Sequence, residues 1–209
     1  MFRPFFVLKA FIPNPINLFV FLKKKFMKYL LFIISFFTLS SCTIAGITSD
    51  YGKLSPSEQQ SIIPVEDFSR TDTRHIYKIN GLQLKKELAN HPKSLVYIFT
   101  NGCSSKLCLP MSSYETYAKE KGYKLFLIMS GYHNISETTN QRSAVFTEPL
   151  FAIDNDFYNS NMRMTYTRYF ENDLRGLDHT QKPEWEGNLY FFERGQLKQI
   201  TKELPTHLK

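Results

Sequence analysis

Cysteine is scarce: three residues in 209, too few for a disulfide-dense scaffold. No glycine-rich phosphate loop, Gly-x-Ser-x-Gly elbow or His-Glu-x-x-His run is present, so nucleotide-dependent and hydrolase readings have no motif behind them. Acidic residues are missing from the first 41 positions, which hold six of the 26 basic side chains (Arg3, Lys9, Lys23, Lys24, Lys25 and Lys28). The net charge of +7 therefore belongs to the amino terminus, and the remainder of the chain is close to neutral. A chain charged in this way lacks a broad phosphate-neutralising face, so nucleic acid is not expected as a partner. The composition, 43% hydrophobic and 22% charged, excludes wholesale disorder and collagen-like repeats. The length suits one ordinary domain with extensions.

Long apolar runs are also missing. The run from Tyr29 to Leu39 is eleven residues, roughly 16 Å of helix against a hydrocarbon core of about 30 Å. It follows the cationic stretch Lys23-Lys24-Lys25-Phe26-Met27-Lys28 and leads through Ser40 and Ser41 into Cys42. Cation, short apolar core and small residues are the order of a secretory signal peptide. Leu39-Ser40-Ser41-Cys42 resembles the lipobox of bacterial lipoproteins. The resemblance implies cleavage of a 1–41 leader, acylation of Cys42, and anchoring to a lipid bilayer in the cell envelope. Several acyl chains hold firmly where one would be marginal. Thr43 stands where some bacteria use Asp as an inner-membrane retention signal, which points to the outer membrane, facing the periplasm. Lys9, Pro13 and Pro15 break the apolar character of residues 5–22, and Met27 begins a compact signal; translation is expected to start there.

Residues 42–74 read as the lipidated cysteine and a polar tether carrying one short helix, capped at Ser55-Pro56-Ser57-Glu58. About 30 flexible residues would reach some 30 Å. From residue 75 to residue 209 the pattern is that of an α/β domain with a mixed sheet. Ile76-Tyr77-Lys78-Ile79 predicts a strand, Leu82 to Ala89 a helix, and the nearly continuous apolar run Ser94 to Thr100 a buried central strand. Ser112-x-x-Glu115 predicts a capping box opening the next helix, and Gly122 its end. Lys124 to Ser130 completes a parallel strand–helix–strand unit. Leu150 to Ile153 predicts a strand, Met162 to Leu174 a helix, and Asn188 to Phe192 with Gln196 to Ile200 a hairpin turning at Arg194-Gly195. Residues 131–147 show no periodicity. Asp154 and Asp156 read as a turn, since no distal glutamate completes a calcium loop. Trp185 is expected beside the sheet.

With Cys42 consumed by lipid, two thiols remain, Cys103 and Cys108, in Asn-Gly-Cys-Ser-Ser-Lys-Leu-Cys-Leu-Pro. They fall between the end of the central strand and the next helix, where α/β sheets usually place chemistry. A helix dipole and Lys106 would both favour thiolate there. Cys103 would then attack a partner disulfide and Cys108 resolve the mixed disulfide. A helix starting at Ser112 leaves Cys103 outside its first turn, however, and a six-residue disulfide loop stabilises a fold by about 2 kcal/mol with no turnover. Redox chemistry and a structural clip in a partner-binding lipoprotein both stay open.

The arrangement is similar to a thioredoxin-like domain: strand and helix, Val96-Tyr97-Ile98-Phe99-Thr100 running into the cysteines, a helix, Leu125-Phe126-Leu127-Ile128, and a closing hairpin ending Phe191-Phe192-Glu193-Arg194-Gly195. That resemblance implies a thioredoxin-like mixed sheet flanked by helices, thiol–disulfide exchange, and the thiols or disulfides of exported proteins as partners, with no cofactor beyond the redox-active disulfide. The family's cis-proline position falls on Gly187. Phe99 to Cys103 and Cys108 to Pro110 also resemble the copper-delivering thioredoxin-like proteins of the Sco type, which implies Cu(I) held by Cys103, Cys108 and His179. His133, shortly after the strand ending near Ser130, is a candidate base for the cysteine loop.

Overall fold

A computed structural model describes residues 46–103, 105, 108–142 and 144–205. The leader, Cys42 and Lys106 lie outside the described residues, and with them the readings of cleavage, acylation and a lysine beside the thiols.

The strands are β1 Ile62–Pro64, β2 Ile76–Ile79, β3 Lys93–Phe99, β4 Lys124–Met129, β5 Leu150–Ile153, β6 Leu189–Glu193 and β7 Gln196–Thr201. They form one mixed sheet of seven in the order β1-β2-β5-β4-β3-β6-β7. The first five run parallel to one another, β6 pairs antiparallel with β3, and β7 pairs antiparallel with β6. The α-helices are α1 Pro56–Gln60, α2 Gly81–Leu88, α3 Met111–Lys121, α4 Ile135–Thr139 and α5 Arg163–Arg175.

Side-chain alternation along the central strands explains their continuous apolar character. Leu95, Tyr97 and Phe99 of β3 and Leu125, Leu127 and Met129 of β4 face the core under α3, where Tyr114 and Ala118 meet them. Val96, Ile98, Phe126 and Ile128 face the other core, closed by Leu84 and Leu88 of α2 and Phe170 and Leu174 of α5. With both faces buried, neither can be polar. Tyr166, Phe170 and Leu174, spaced four apart, form the stripe that α5 buries. Asn80 and Gln83 form a reciprocal capping box at α2, so that helix starts where its backbone donors find partners. The hairpin turn forms at Arg194 (φ 48°) and Gly195 (φ 76°), and two positive φ angles match the right-handed strand twist.

The tether is not a spacer from Gly46 onward. Ile62 to Pro64 adds a parallel edge strand to β2, Val65 N–H donates to Lys78 O at 3.0 Å, and Phe68 lies 5.8 Å from the Phe151 ring. Ile62 and Val65 are buried. Four apolar residues scattered without a period (Ile62, Ile63, Val65, Phe68) carry too little signal to be read locally; a sheet edge makes them a packing surface. Further upstream, Arg163 N–H donates to Ile47 O (2.8 Å), Ser49 N–H to Asn161 O (3.2 Å) and Tyr132 N–H to Ser49 O (2.8 Å). The Ser55 capping box with Pro56 at the first helical position is present in α1.

Two smaller expectations fail. The capping box at Ser112 does not form: α3 starts at Met111 behind Pro110, with no side-chain cap. Glu115 turns away from Ser112 and is buried, accepting from Thr147 N–H (3.0 Å), Thr147 Oγ1 and Lys119 Nζ (2.7 Å). Trp185 does not pack beside the sheet; it is exposed, with Lys202 Nζ 4.9 Å from its ring centre. Leu82 also faces solvent. Asp154 and Asp156 do form a turn, and Lys78 Nζ fills the space between them at 3.1 and 2.5 Å.

Candidate functional site

β3 sits between β4 and β6, and its carboxyl end is pinned by two polar residues. Thr100 Oγ1 lies 3.2 Å from Ser130 Oγ at the end of β4. Asn101, almost fully buried, donates from Nδ2 to Gly131 O (2.9 Å) and accepts from Thr138 Oγ1 (2.7 Å). These bonds fix where the chain leaves the sheet. It then turns at Gly102 with φ +66°, and a Cβ there would come within 2.5 Å of Glu137 Oε2. Glycine takes this left-handed turn without strain, and a Cβ there would push the Glu137 carboxylate aside.

Cys103 follows, and its sulfur is bonded to Cys108 with the Cα atoms 6.1 Å apart. Cys103 is exposed and Cys108 is half-buried. Cys108 N–H donates to Ser105 O at 3.0 Å, closing the loop on itself. Beside the disulfide runs an open groove of about 430 Å³, lined among others by Tyr97, Cys103, Cys108, Leu109, Glu137 and Thr138. Tyr97 stacks on Tyr114 with ring centres 4.0 Å apart. Burial, with the Tyr114 hydroxyl adding to it, pushes the Tyr97 phenol well above its ordinary range, so it stays protonated. The groove thus offers a reachable sulfur, an apolar wall at Leu109 and a carboxylate at Glu137.

The sequence-predicted residues divide. Cys103 and Cys108 come together at the expected strand end. Cys108 lies two residues before Pro110 at the start of α3 and Cys103 seven before it, so neither cysteine belongs to the helix's first turn, and the disulfide keeps the two sulfurs side by side. His133 does not line the groove; its Nδ1 lies 3.8 Å from Asp50 Oδ2. His179 is held elsewhere, with Nε2 2.8 Å from Asp173 Oδ1 and its ring stacked on Tyr169 at 4.6 Å. Among the described residues no cluster of three or more His, Cys, Asp or Glu is placed to hold a metal ion, so Cys103, Cys108 and His179 do not form a ligand set. No peptide bond among the described residues is cis, and Gly187 adopts φ 154° against Thr201.

Glu137 and Thr138 were not foreseen. They lie in the aperiodic stretch after β4, where no local signal distinguishes a groove residue from a loop residue. The Asn101–Thr138 bond, between positions 37 apart in the chain, ties α4 to the strand end that leads into the disulfide. No protein-family model, curated protein or solved structure matches the chain.

Proposed function

We propose that this chain is a lipid-anchored, thioredoxin-like protein of the bacterial cell envelope that exchanges thiols and disulfides with exported proteins. The observation that carries the reading is an exposed Cys103 in a disulfide beside a groove at the carboxyl end of a central strand. The arrangement behind the family resemblance supports it: strand and helix, cysteine loop, helix, parallel strand and closing antiparallel hairpin.

In the reduced protein, Cys103 thiolate attacks a sulfur of the partner disulfide. That S–S bond breaks, one partner sulfur leaves as thiolate, and a mixed disulfide forms. Cys108 thiolate then attacks Cys103 Sγ and the second partner sulfur departs. Two electrons pass to the partner, whose two thiolates take up two protons, and the Cys103–Cys108 bond is restored. A dithiol donor of the envelope must re-reduce it. The greater exposure of Cys103 suits it to the first attack. Upstream, Leu39-Ser40-Ser41-Cys42 supports an anchor at Cys42 in the outer membrane, facing the periplasm.

One observation favours a second reading, a non-catalytic partner-binding lipoprotein in which the bond is a staple: neither cysteine lies within α3, and the dipole that would activate a thiol fades within a turn. Insulin reduction by the full-length protein, driven by dithiothreitol, separates the two. Turnover that disappears in Cys103→Ser supports exchange. No turnover, with a reduction potential below about −300 mV, supports the staple.

A further inference from the structure

The described structure comes within four residues of the proposed anchor. Gly46 N–H donates to Asp50 Oδ2 (2.9 Å), Thr48 pairs with Met162, and Arg163 N–H donates to Ile47 O (2.8 Å). Cys42 is four residues before Gly46. Four residues span at most about 14 Å when fully extended. An acylated Cys42 therefore cannot hold the domain clear of the membrane, as a 30-residue tether would have done.

The segment nearest the anchor exposes apolar side chains. Ile47, Met162 and Met164 are 43%, 50% and 83% exposed, on two segments joined by backbone hydrogen bonds. The Arg163 guanidinium runs alongside Gly46, about 3.5 Å from where a Cβ would stand. Ile47 and Arg163 stand opposite each other across this pairing, with exposed Met162 and Met164 on either side of Arg163 in the chain, and such an edge suits the headgroup boundary of an anionic bilayer, the apolar groups entering it and the cation meeting phosphate. The same edge carries the disulfide loop. Asn101, two residues before Cys103, donates to Gly131 O, and a Cβ at Gly131 would lie 3.3 Å from Arg163 Cδ.

We infer that the face formed by Ile47, Met162, Arg163 and Met164 rests on the lipid surface, so that the Cys103–Cys108 loop works at the membrane boundary on membrane-proximal segments of its partners. The inference rests on acylation of Cys42, and its test keeps the two apart. Full-length protein is made in a host that processes lipoproteins, carrying Met164→Trp in a Trp185→Phe background. A control carries Asn90→Trp in the same background, because exposed Asn90 precedes β3 at the opposite, amino edge of the sheet. Both are reconstituted in phosphatidylethanolamine–phosphatidylglycerol vesicles containing lipids brominated near the headgroup, and the mass of the peptide bearing Cys42 is measured. Interfacial apolar side chains sit about 5–10 Å into the boundary, so the indole fluorescence of the Met164→Trp protein should fall by roughly half or more, while that of the Asn90→Trp control is unchanged. Acylated protein that floats with the vesicles but leaves the Met164→Trp indole unquenched, or quenches both variants alike, overturns the proposed face. An unmodified Cys42 overturns the anchor reading and removes the basis of the inference with it.

Discussion

Replacing Asp50 by alanine should release residues 46–50 from the rest of the domain. The Asp50 side chain is 2% exposed and pairs with Lys53 Nζ at 2.8 Å. It also accepts from Gly46 N–H (2.9 Å) and Thr48 Oγ1 (2.8 Å). Asp50 itself stands at φ 60°, a left-handed conformation that aspartate tolerates better than alanine. Hydrogen bonds to a charged group contribute about 1.5–3 kcal/mol each, and not additively. Loss of the set, with backbone strain, gives an expected destabilisation of about 3 kcal/mol, or roughly 6–12 °C in Tm for a domain of this size. The pH dependence carries a sign. Burial alone would raise the carboxyl pKa, but the bonds from Lys53, Thr48 and Gly46 outweigh it, and the folded value lies below the ordinary 3.8. A depressed folded pKa stabilises above the unfolded value, and the stabilisation is lost as pH falls through the folded one. The gap between wild type and Asp50→Ala should therefore be full at pH 7 and shrink below about pH 4. Urea unfolding at pH 7 and pH 3, with limited proteolysis around residues 46–50, measures it. A variant within about 0.5 kcal/mol of wild type at pH 7 would refute the claim that this segment is part of the fold, since that is the ordinary range for surface substitutions.

Gly187→Ala should be strongly destabilising, by about 3 kcal/mol or more, because its Cβ would stand 2.1 Å from Thr201 O and its φ of 154° is one that L residues avoid; thermal denaturation reads this directly. Glu137→Gln should speed iodoacetamide alkylation of reduced Cys103 at pH 7 by about two- to fivefold, since a carboxylate beside the loop opposes thiolate formation. An unchanged rate would mean that Glu137 does not act on the sulfur. Replacing both Cys103 and Cys108 by serine should lower stability by about 2 kcal/mol at most, the value for a six-residue loop. A much larger loss in urea unfolding would mean that the cysteines contribute more than closure of this loop.

The strands were legible in sequence because both sheet faces are buried. Runs such as Ser94 to Thr100 and Lys124 to Ser130 then need no periodicity to stand out. The hairpin was legible because Arg194-Gly195 supplies two residues at positive φ. What escaped were features made by distant residues. Residues 62–68 look irregular until β2, Phe126 and Phe151 are beside them. Glu115 matched a capping-box spacing, yet its carboxylate finds Thr147, 32 positions away. The cysteine pair declared itself by position alone, whereas the groove wall at Glu137 and Thr138 depends on Asn101 reaching across to α4. His133 and His179 sat at plausible distances along the chain, but nearby carboxylates, Asp50 and Asp173, hold them elsewhere.

Trapping a partner through Cys103 tests the exchange chemistry most directly. Full-length Cys108→Ser, produced in cells and analysed on non-reducing gels, lacks the thiol that would resolve a mixed disulfide. Covalent adducts with envelope proteins should accumulate, dissolve on reduction, and vanish when Cys103→Ser is added. If Cys108→Ser yields no adducts while its Cys103 thiol remains open to alkylation, the disulfide is a clip in the fold rather than a reagent.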